Sequence, residues 1–284
     1  PFDAEVSLPE GWQGKTLVPW PNRIVGARYA YRGQEYPVPC NEPETGSALH
    51  GLVGWADFQV VATSAGDDAV GDAPSSVALE LTLPGSYAYP WSLQVDVRFA
   101  LDARAGLTVA ATTTCLGAGA PAAPDAVGAP ESDGLLAPAP YGVSFHPYLT
   151  RSVPLDECVL QVPAARVLDV DERMAPAAER DVAGTDWDWR AGRPVGTIST
   201  DNAYTGLPQG PWEVRLTGGE AGSTVVLSAE APWVQVYTAE HLGRRGVAVE
   251  PMTCPPDAFN SGRDLVELEV GRSHSFSYSL REDD

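Results

Sequence analysis

Apolar and polar residues alternate along short segments of the chain, and this alternation predicts β-strands. A period of two fits half-buried strands, because successive side chains point to opposite faces of a sheet. Turn-forming pairs such as Pro84-Gly85 and Gly218-Gly219 separate several of these segments. The predicted strands are residues 58–62, 77–83, 93–99, 107–109, 212–216, 234–237, 266–270 and 276–280.

Helical periodicity is weak, and residues 171–180 are the best candidate for a short helix. Many short strands with one polar face predict an all-β fold, namely a large antiparallel β-sandwich. Residues 117–140 are rich in Ala, Pro and Gly, which predicts a long flexible loop. Because similar strand patterns lie on both sides of this loop, we interpret residues 1–284 as a single domain.

Composition excludes several partners. The 284 residues carry a formal net charge of −20, which disfavours nucleic acid and anionic membrane surfaces, since both are polyanions. No apolar run approaches the roughly 18 residues of a membrane-spanning helix. No secretory signal is visible, and we expect a cytoplasmic protein.

The cysteines do not suggest a metal site. The four cysteines lie far apart and form no CxxC pair, so a zinc site of the usual spacing is not expected. An even number permits disulfides, but reduced cysteines are the simpler interpretation. The cysteines are Cys40, Cys115, Cys158 and Cys254.

Two titratable residues stand in unusual surroundings. Glu250 ends an apolar segment and precedes Pro251, and a desolvated carboxylate there would suit a general base. His146 lies between Phe145 and Pro147, where an imidazole can titrate near neutrality and act as an acid. Each also fits a structural role, as a strand-end glutamate that meets solvent or as a packed histidine.

Three further residues could bind hydroxyl groups. Arg23 follows Asn22 in a Pro-rich turn, and its planar guanidinium could hold hydroxyl oxygens or simply face solvent. His50 precedes Gly51 and is either a turn residue or a hydrogen-bonding group. Asp201 supplies a carboxylate in a loop, or only forms a turn.

The remaining histidines and the tryptophans add little. His241 lies in a charged turn and His274 in a predicted strand, and we predict that both are non-catalytic. The chain has eight tryptophans, whose flat apolar faces suit the C–H faces of sugar rings. Most of them are expected to be core residues.

Taken together and in this order, the motifs resemble those of the aldose 1-epimerase (galactose mutarotase) family. The similarity covers about residues 14 to 280, nearly the whole chain. An Asn-Arg, a His-Gly and a His-Pro-Tyr motif are followed by a terminal Glu-Pro and Asp-Ala-Phe-Asn. The matching segments are residues 20–26, 31–33, 36, 41–42, 49–51, 144–148, 201–204, 249–251 and 256–260.

The resemblance implies a galactose mutarotase-like supersandwich with a sugar cleft on one concave sheet. It also implies that Glu250 is the general base and His146 the general acid. The residues implied to hold the substrate are Arg23, His50, Asp201 and Asn22. The family usually has one or two strands before the Asn-Arg motif, so we expect N-terminal strands to be missing here.

The implied activity is interconversion of the α and β anomers of a free aldose by acid–base catalysed ring opening. This reaction needs no cofactor and no metal. The expected partner is a small-molecule sugar substrate, and the protein is expected to be a monomer or a homodimer. Two alternatives are a β-sandwich glycoside hydrolase that uses Glu250 with Asp201, and a non-catalytic carbohydrate-binding module. The sequence does not distinguish galactose, glucose, another aldose, or a sulfonated or phosphorylated hexose.

The implied roles also predict a bell-shaped dependence of kcat/KM on pH. The acid limb would report ionisation of Glu250, with a pKa raised by burial. The basic limb would report loss of the proton from His146, with a pKa raised by the neighbouring anion.

Overall fold

A computed structural model describes residues 10–64, 75–118, 137–219 and 222–283. Antiparallel strands make up about half of this part of the chain. The strands are β1 Thr16–Leu17, β2 Arg23–Ile24, β3 Arg28–Tyr31, β4 Gln34–Pro37, β5 Ala48–Leu49, β6 Gln59–Ser64, β7 Ser75–Leu83, β8 Trp91–Asp102, β9 Gly106–Ala118, β10 Ala139–Tyr141, β11 Ser144–Phe145, β12 Tyr148–Leu149, β13 Val159–Gln161, β14 Arg166–Val170, β15 Pro176–Asp181, β16 Arg193–Pro194, β17 Asp201–Thr205, β18 Trp212–Thr217, β19 Thr224–Ala229, β20 Trp233–Tyr237, β21 Val247–Met252, β22 Val266–Leu268 and β23 Ser273–Asp283.

Helices are short. One α-helix, α1, spans Ala258–Ser261, and 3₁₀ turns span Val25–Ala27, Leu155–Glu157 and Glu240–Leu242. Within the ranges given above, no helix is long and apolar enough to cross a membrane.

Two large antiparallel sheets form the body of the fold. One has eight strands in the order β1-β11-β21-β20-β17-β14-β15, with β12 also paired to β21. The other has nine strands in the order β16-β13-β18-β19-β23-β9-β8-β7-β6. Three two-stranded ribbons, β2-β5, β3-β4 and β10-β22, complete the described strands. This arrangement confirms the predicted all-β antiparallel sandwich.

The alternation in the sequence decides which side chains form the core between the sheets. Val234 and Val236 on β20 and Val249 on β21 belong to the buried apolar cluster. Gln235 lies between the two valines of β20, and its cross-strand partner Glu250 follows Val249 on β21. Both side chains therefore point to the opposite face of the eight-stranded sheet. This second face carries the polar residues described below.

All the predicted strands overlap observed strands, although β6 starts one residue later than predicted and β22 ends at Leu268. The helix predicted for residues 171–180 is wrong, because this segment is the turn and second strand of the β14–β15 hairpin. The Asp171 carboxylate accepts the backbone N–H groups of Arg173 and Ala175, at 2.8 and 2.9 Å. This side-chain cap, together with a φ of 59° at Met174, reverses the chain instead of starting a helix.

The loop predicted for residues 117–140 includes strand residues at both of its ends. Gly117 and Ala118 end β9, while Ala139 and Pro140 belong to β10. Residues 119–136 of the predicted loop lie outside the described residues, and only Ala137 and Pro138 are described as non-strand residues of this loop.

Candidate active site

A cavity of about 440 Å³ opens on the face of the eight-stranded sheet that is turned away from the core. Residues from distant parts of the chain meet there. All six residues singled out in the sequence line this cavity, namely Glu250, His146, Arg23, His50, Asp201 and Asn22. Their convergence makes the cavity the candidate active site, while their individual roles stay predictions.

Glu250 and His146 face each other at the bottom of the cavity. The strands on either side of His146, β11 and β12, both pair with β21 in a single antiparallel register, which sets His146 opposite Glu250. The His146 Nε2 atom lies 3.3 Å from Glu250 Oε1, and both side chains are at most 5% exposed. Glu250 Oε2 and His146 Nδ1 have no hydrogen-bond partner among the described residues.

The backbone on both sides of His146 fixes its position. Its N–H donates to the carbonyl of Lys15 at 3.0 Å, and its carbonyl accepts the N–H of Gly14 at 2.9 Å. The ring of Tyr148 stacks on the imidazole, with ring centroids 5.1 Å apart. Nε2 is therefore held towards Glu250 by contacts that do not depend on substrate.

Burial moves the pKa values of the two groups in opposite directions. It raises the pKa of Glu250 well above its usual range, and the charge of Asp201 adds to this effect while Arg23 opposes it. Burial lowers the pKa of His146 to about 3. The expectation that the neighbouring carboxylate raises the pKa of His146 is therefore wrong, because desolvation of the imidazolium dominates. When the pair holds a single proton, these opposite shifts place that proton on Glu250 rather than on His146.

Arg23 is held rigidly by a buried carboxylate to which the sequence analysis assigned no role. Its Nε and Nη2 atoms donate to the two oxygens of Glu42, each at 2.7 Å. The hydroxyl of Thr45 also donates to Glu42. The Asn22 side-chain oxygen accepts the backbone N–H of Arg23 at 2.9 Å. This two-point ion pair fixes the plane of the guanidinium at the cavity wall.

Asp201 lies in strand β17 and not in the predicted loop, and it is the cross-strand partner of Tyr237 on β20. The Gln235 side chain, also on β20, donates to Asp201 Oδ1 at 2.7 Å. Burial raises the pKa of Asp201, and the nearby Arg23 guanidinium opposes that rise. The side-chain oxygen Oε1 of Gln235 has no hydrogen-bond partner in the described part of the chain, so it is available to a ligand hydroxyl.

His50 follows β5 with a φ of 64°, and its N–H donates to the carbonyl of Asn22 at 2.8 Å. Its ring lies edge-on to the rings of His146 and Trp12, at centroid distances of 5.2 and 4.9 Å. Burial lowers the pKa of His50, and the His146 charge adds to the effect. The neutral imidazole offers both a donor and an acceptor to a hydroxyl group.

The sequence analysis missed other residues that line the cavity, among them Gln235, Tyr237 and Trp12. The first two had a signal, because the period of two over residues 234–237 places them opposite the core valines. Trp12 had none, since its contact with His50 exists only in the folded chain. Of the two histidines predicted to be non-catalytic, His241 lies at the cavity rim, and His274 lies on β23 in the other large sheet.

One described group could hold a metal ion. His50, His146 and Glu250 place candidate ligand atoms within 4.8 Å of one another, and all three residues are buried. A metal there would bind His146 and Glu250, the two residues that acid–base chemistry needs. The two uses of the trio therefore exclude each other.

The fold has clear structural relatives. A galactose 1-epimerase from Lactobacillus acidophilus matches with a TM-score of 0.79 and 16% identity, covering 99% of this chain and 83% of that one. A GalM/aldose epimerase homologue from Caenorhabditis elegans matches with a TM-score of 0.77 and 19% identity, covering 96% and 83%. The protein thus has the galactose mutarotase-like sandwich fold.

Sequence comparison extends this result beyond the fold. The family model described as aldose 1-epimerase matches residues 2–122 and 130–281. The chain belongs to the aldose 1-epimerase family. It is also 37% identical over 274 residues to the uncharacterized protein YihR of Escherichia coli K12, covering 96% of this chain and 80% of that protein.

Proposed function

We propose that this protein is an isomerase that interconverts the α and β anomers of a free aldose. The observation that carries the proposal is the distance of 3.3 Å between His146 Nε2 and Glu250 Oε1 at the bottom of the cavity. Anomer exchange needs one group that takes the proton of the anomeric hydroxyl and a second group that protonates the ring oxygen. These two sugar oxygens share one carbon atom, so adjacent catalytic groups suit them.

In the proposed reaction, the Glu250 carboxylate accepts the proton of the O1 hydroxyl while His146 donates the proton of Nε2 to the ring oxygen O5. The C1–O5 bond breaks and a C1=O1 double bond forms, which gives the open-chain aldehyde. Rotation about the C1–C2 bond presents the other face of the carbonyl. The reverse transfers then close the ring as the other anomer.

The pair holds one proton throughout this cycle. Before ring opening the proton is on His146, and in the aldehyde complex it is on Glu250. Because burial places the proton on Glu250 in the free protein, it must cross the 3.3 Å gap to His146 when sugar binds. The Arg23 charge, which lowers the pKa of Glu250, favours that transfer.

The other predicted site residues would hold the remaining sugar hydroxyls. The Arg23 guanidinium and the His50 ring lie at the cavity wall, and the Asp201 carboxylate accepts from Gln235 beside Glu250. Hydroxyl groups both donate and accept, so a wall of charged and neutral hydrogen-bonding groups is suited to a pyranose.

Polarimetry on freshly dissolved single anomers of galactose and glucose tests the proposal. We expect Glu250→Gln and His146→Asn each to lower kcat at least ~100-fold with the fold intact. His274→Gln, on the other sheet, and Glu35→Gln, at an exposed position, serve as controls and should keep full activity. Near wild-type kcat in either cavity variant would contradict the assigned roles. Release of reducing sugar from an aryl glycoside would indicate a glycoside hydrolase, and sugar binding without turnover would indicate a binding module.

A further inference from the structure

Two aromatic residues that the proposed reaction does not use line the open end of the cavity. Tyr237 lies on β20 and His241 on the 3₁₀ turn that follows, and both line the cavity. Their rings stack with centroids 5.6 Å apart and an interplanar angle of 10°. Tyr237 is half-buried and His241 is exposed, so the pair forms part of the rim.

Two contacts between these residues hold the orientation of the His241 ring. The backbone N–H of His241 donates to the Tyr237 hydroxyl oxygen at 3.5 Å, and the same hydroxyl contacts His241 Nδ1. In the tautomer that carries its proton on Nε2, Nδ1 accepts the proton of this hydroxyl. That N–H has no protein partner among the described residues.

The direction of the sugar in the cavity follows from the proposed chemistry. Glu250 and His146 are 2% and 4% exposed, so C1 and O5 of the pyranose lie at the closed end. C5 is bonded to O5 and carries C6, so the substituent on C5 extends from the side of His146 towards the rim.

The residues in that direction lead to the rim pair. Tyr148, which stacks on His146, and Tyr237 are both cross-strand partners of Ala248. The small Ala248 side chain leaves room between the two tyrosines. This row across the sheet begins at the ring that stacks on His146, which places the rim pair on the His146 side of the cavity.

We propose that His241, positioned by Tyr237, determines specificity by donating a hydrogen bond from Nε2 to an oxygen on C6 of the sugar. This inference rests on the proposed function, because that function sets the direction of the ring. The substrate class it names is the aldohexopyranoses with an oxygen at C6. Aldopentoses lack C6 and 6-deoxyhexoses lack the oxygen, so neither makes this contact.

A pair of sugars that differ only at C6 provides the test. D-Glucose and D-xylose, or D-galactose and L-arabinose, differ only by the hydroxymethyl group on C5. We expect His241→Ala to raise KM for the hexose about three- to tenfold, the effect of losing one hydrogen bond. KM for the pentose should not change, and kcat should stay within about twofold for both sugars, because His241 does not touch the reacting atoms.

Three further variants distinguish a specific contact from local disorder. His241→Gln keeps a side-chain N–H donor and should recover part of the hexose preference. Tyr237→Phe keeps the ring but frees the imidazole, so it should raise KM for the hexose alone and by less than His241→Ala. Arg245→Ala changes a residue just after this turn and outside the cavity, and it should have no effect. An equal rise in KM for hexose and pentose, or no rise, would overturn the inference.

Calorimetric Kd values for the same sugars separate this inference from the proposed function. A wild-type protein that binds both sugars without turnover would contradict the proposed function. The inference would still stand if His241→Ala weakened hexose binding alone. If the wild type neither binds nor converts any of these sugars, both are overturned.

Discussion

Arg23 is bound by Glu42 in a buried two-point ion pair, with both hydrogen bonds at 2.7 Å and both side chains 10% exposed. Glu42 is in turn held by Thr45, whose carbonyl accepts the Arg173 guanidinium at 3.1 Å. The chain of contacts therefore links the cavity wall to the β14–β15 hairpin. The guanidinium owes its fixed position to this carboxylate, so the pair affects stability and substrate binding together.

Glu42→Ala should lower the free energy of unfolding by about 3–5 kcal/mol, because it leaves the Arg23 charge buried and unpaired. It should also raise KM, since Arg23 loses its fixed plane. Chemical denaturation and polarimetry measure the two effects. The matched control is Glu35→Ala, which removes the exposed Arg28–Glu35 pair, with side chains 69% and 63% exposed, and should cost at most about 1 kcal/mol. If the two variants lost the same free energy of unfolding, the buried ion pair would stabilise the protein no more than the exposed one.

Glu250→Gln should stabilise the protein at neutral pH although it lowers kcat. The pKa of Glu250 is raised in the native state, whereas in the unfolded chain it is about 4.3. Above pH ~4.3 the native state therefore holds a proton that the unfolded state has lost, and stability falls as pH rises through the native pKa. The glutamine side chain of the Glu250→Gln variant has no titratable carboxyl group, so the stability of the variant does not fall with pH for this reason.

Thermal unfolding between pH 4 and 8 measures the difference between Glu250→Gln and the wild type. We expect the variant's advantage to grow with pH and to reach about 1 kcal/mol or more near neutrality. Glu35→Gln, at an exposed position, should show no such trend. An advantage independent of pH would mean that burial does not raise the pKa of Glu250.

Strand positions and faces could be predicted from the sequence because they depend on local alternation. The period of two along residues 234–237 already separates the core valines from Gln235. The predicted helix at residues 171–180 failed because a side-chain cap from Asp171 and a left-handed Met174 decide the turn, and neither leaves a periodic signal. Such local hydrogen bonds compete with helix formation.

The six predicted site residues were found because their motifs resemble a family, and the structure gathers them around one cavity. Their electrostatics could not be predicted in the same way. The pKa of His146 depends on complete burial beneath Tyr148 and the adjoining strands, which no single segment of sequence contains. The role of Glu42 also depends on a contact across 19 positions in the chain.

Gly51 fixes the position of His50, and its replacement should be costly. It has a φ of 72°, and a Cβ atom added there would lie 2.2 Å from the Val18 carbonyl oxygen. Gly51→Ala should lower the free energy of unfolding by more than about 2 kcal/mol and reduce kcat/KM. Gly26→Ala is the control, because Gly26 has a φ of 70° but nothing within 4 Å of an added Cβ. It carries only the backbone cost of about 1–2 kcal/mol. If both variants lose the same stability, the close contact with Val18 is unimportant.

The dependence of kcat/KM on pH tests how Glu250 and His146 share their proton. The form with one proton is active, so activity should fall when a second proton is added and when the last one is lost. With the pKa of His146 lowered to about 3 and that of Glu250 raised, the acid limb belongs to His146 and the basic limb to Glu250. This order is the reverse of the one that the sequence analysis predicted.

His146→Asn should then change the shape of the profile as well as its height. Glu250 alone must be ionised to accept the O1 proton, so residual activity should rise with pH through the raised pKa of Glu250 and reach a plateau. The wild type loses activity over the same pH range in which the variant gains it, because ionisation there removes the only proton of the pair. Polarimetric rates from pH 3 to 10 distinguish these slopes.

A variant whose acid limb lies at the ordinary carboxyl pKa of about 4.3 would show that Glu250 is not desolvated in the working enzyme. A variant that keeps the wild-type basic limb would show that His146 is not the acid.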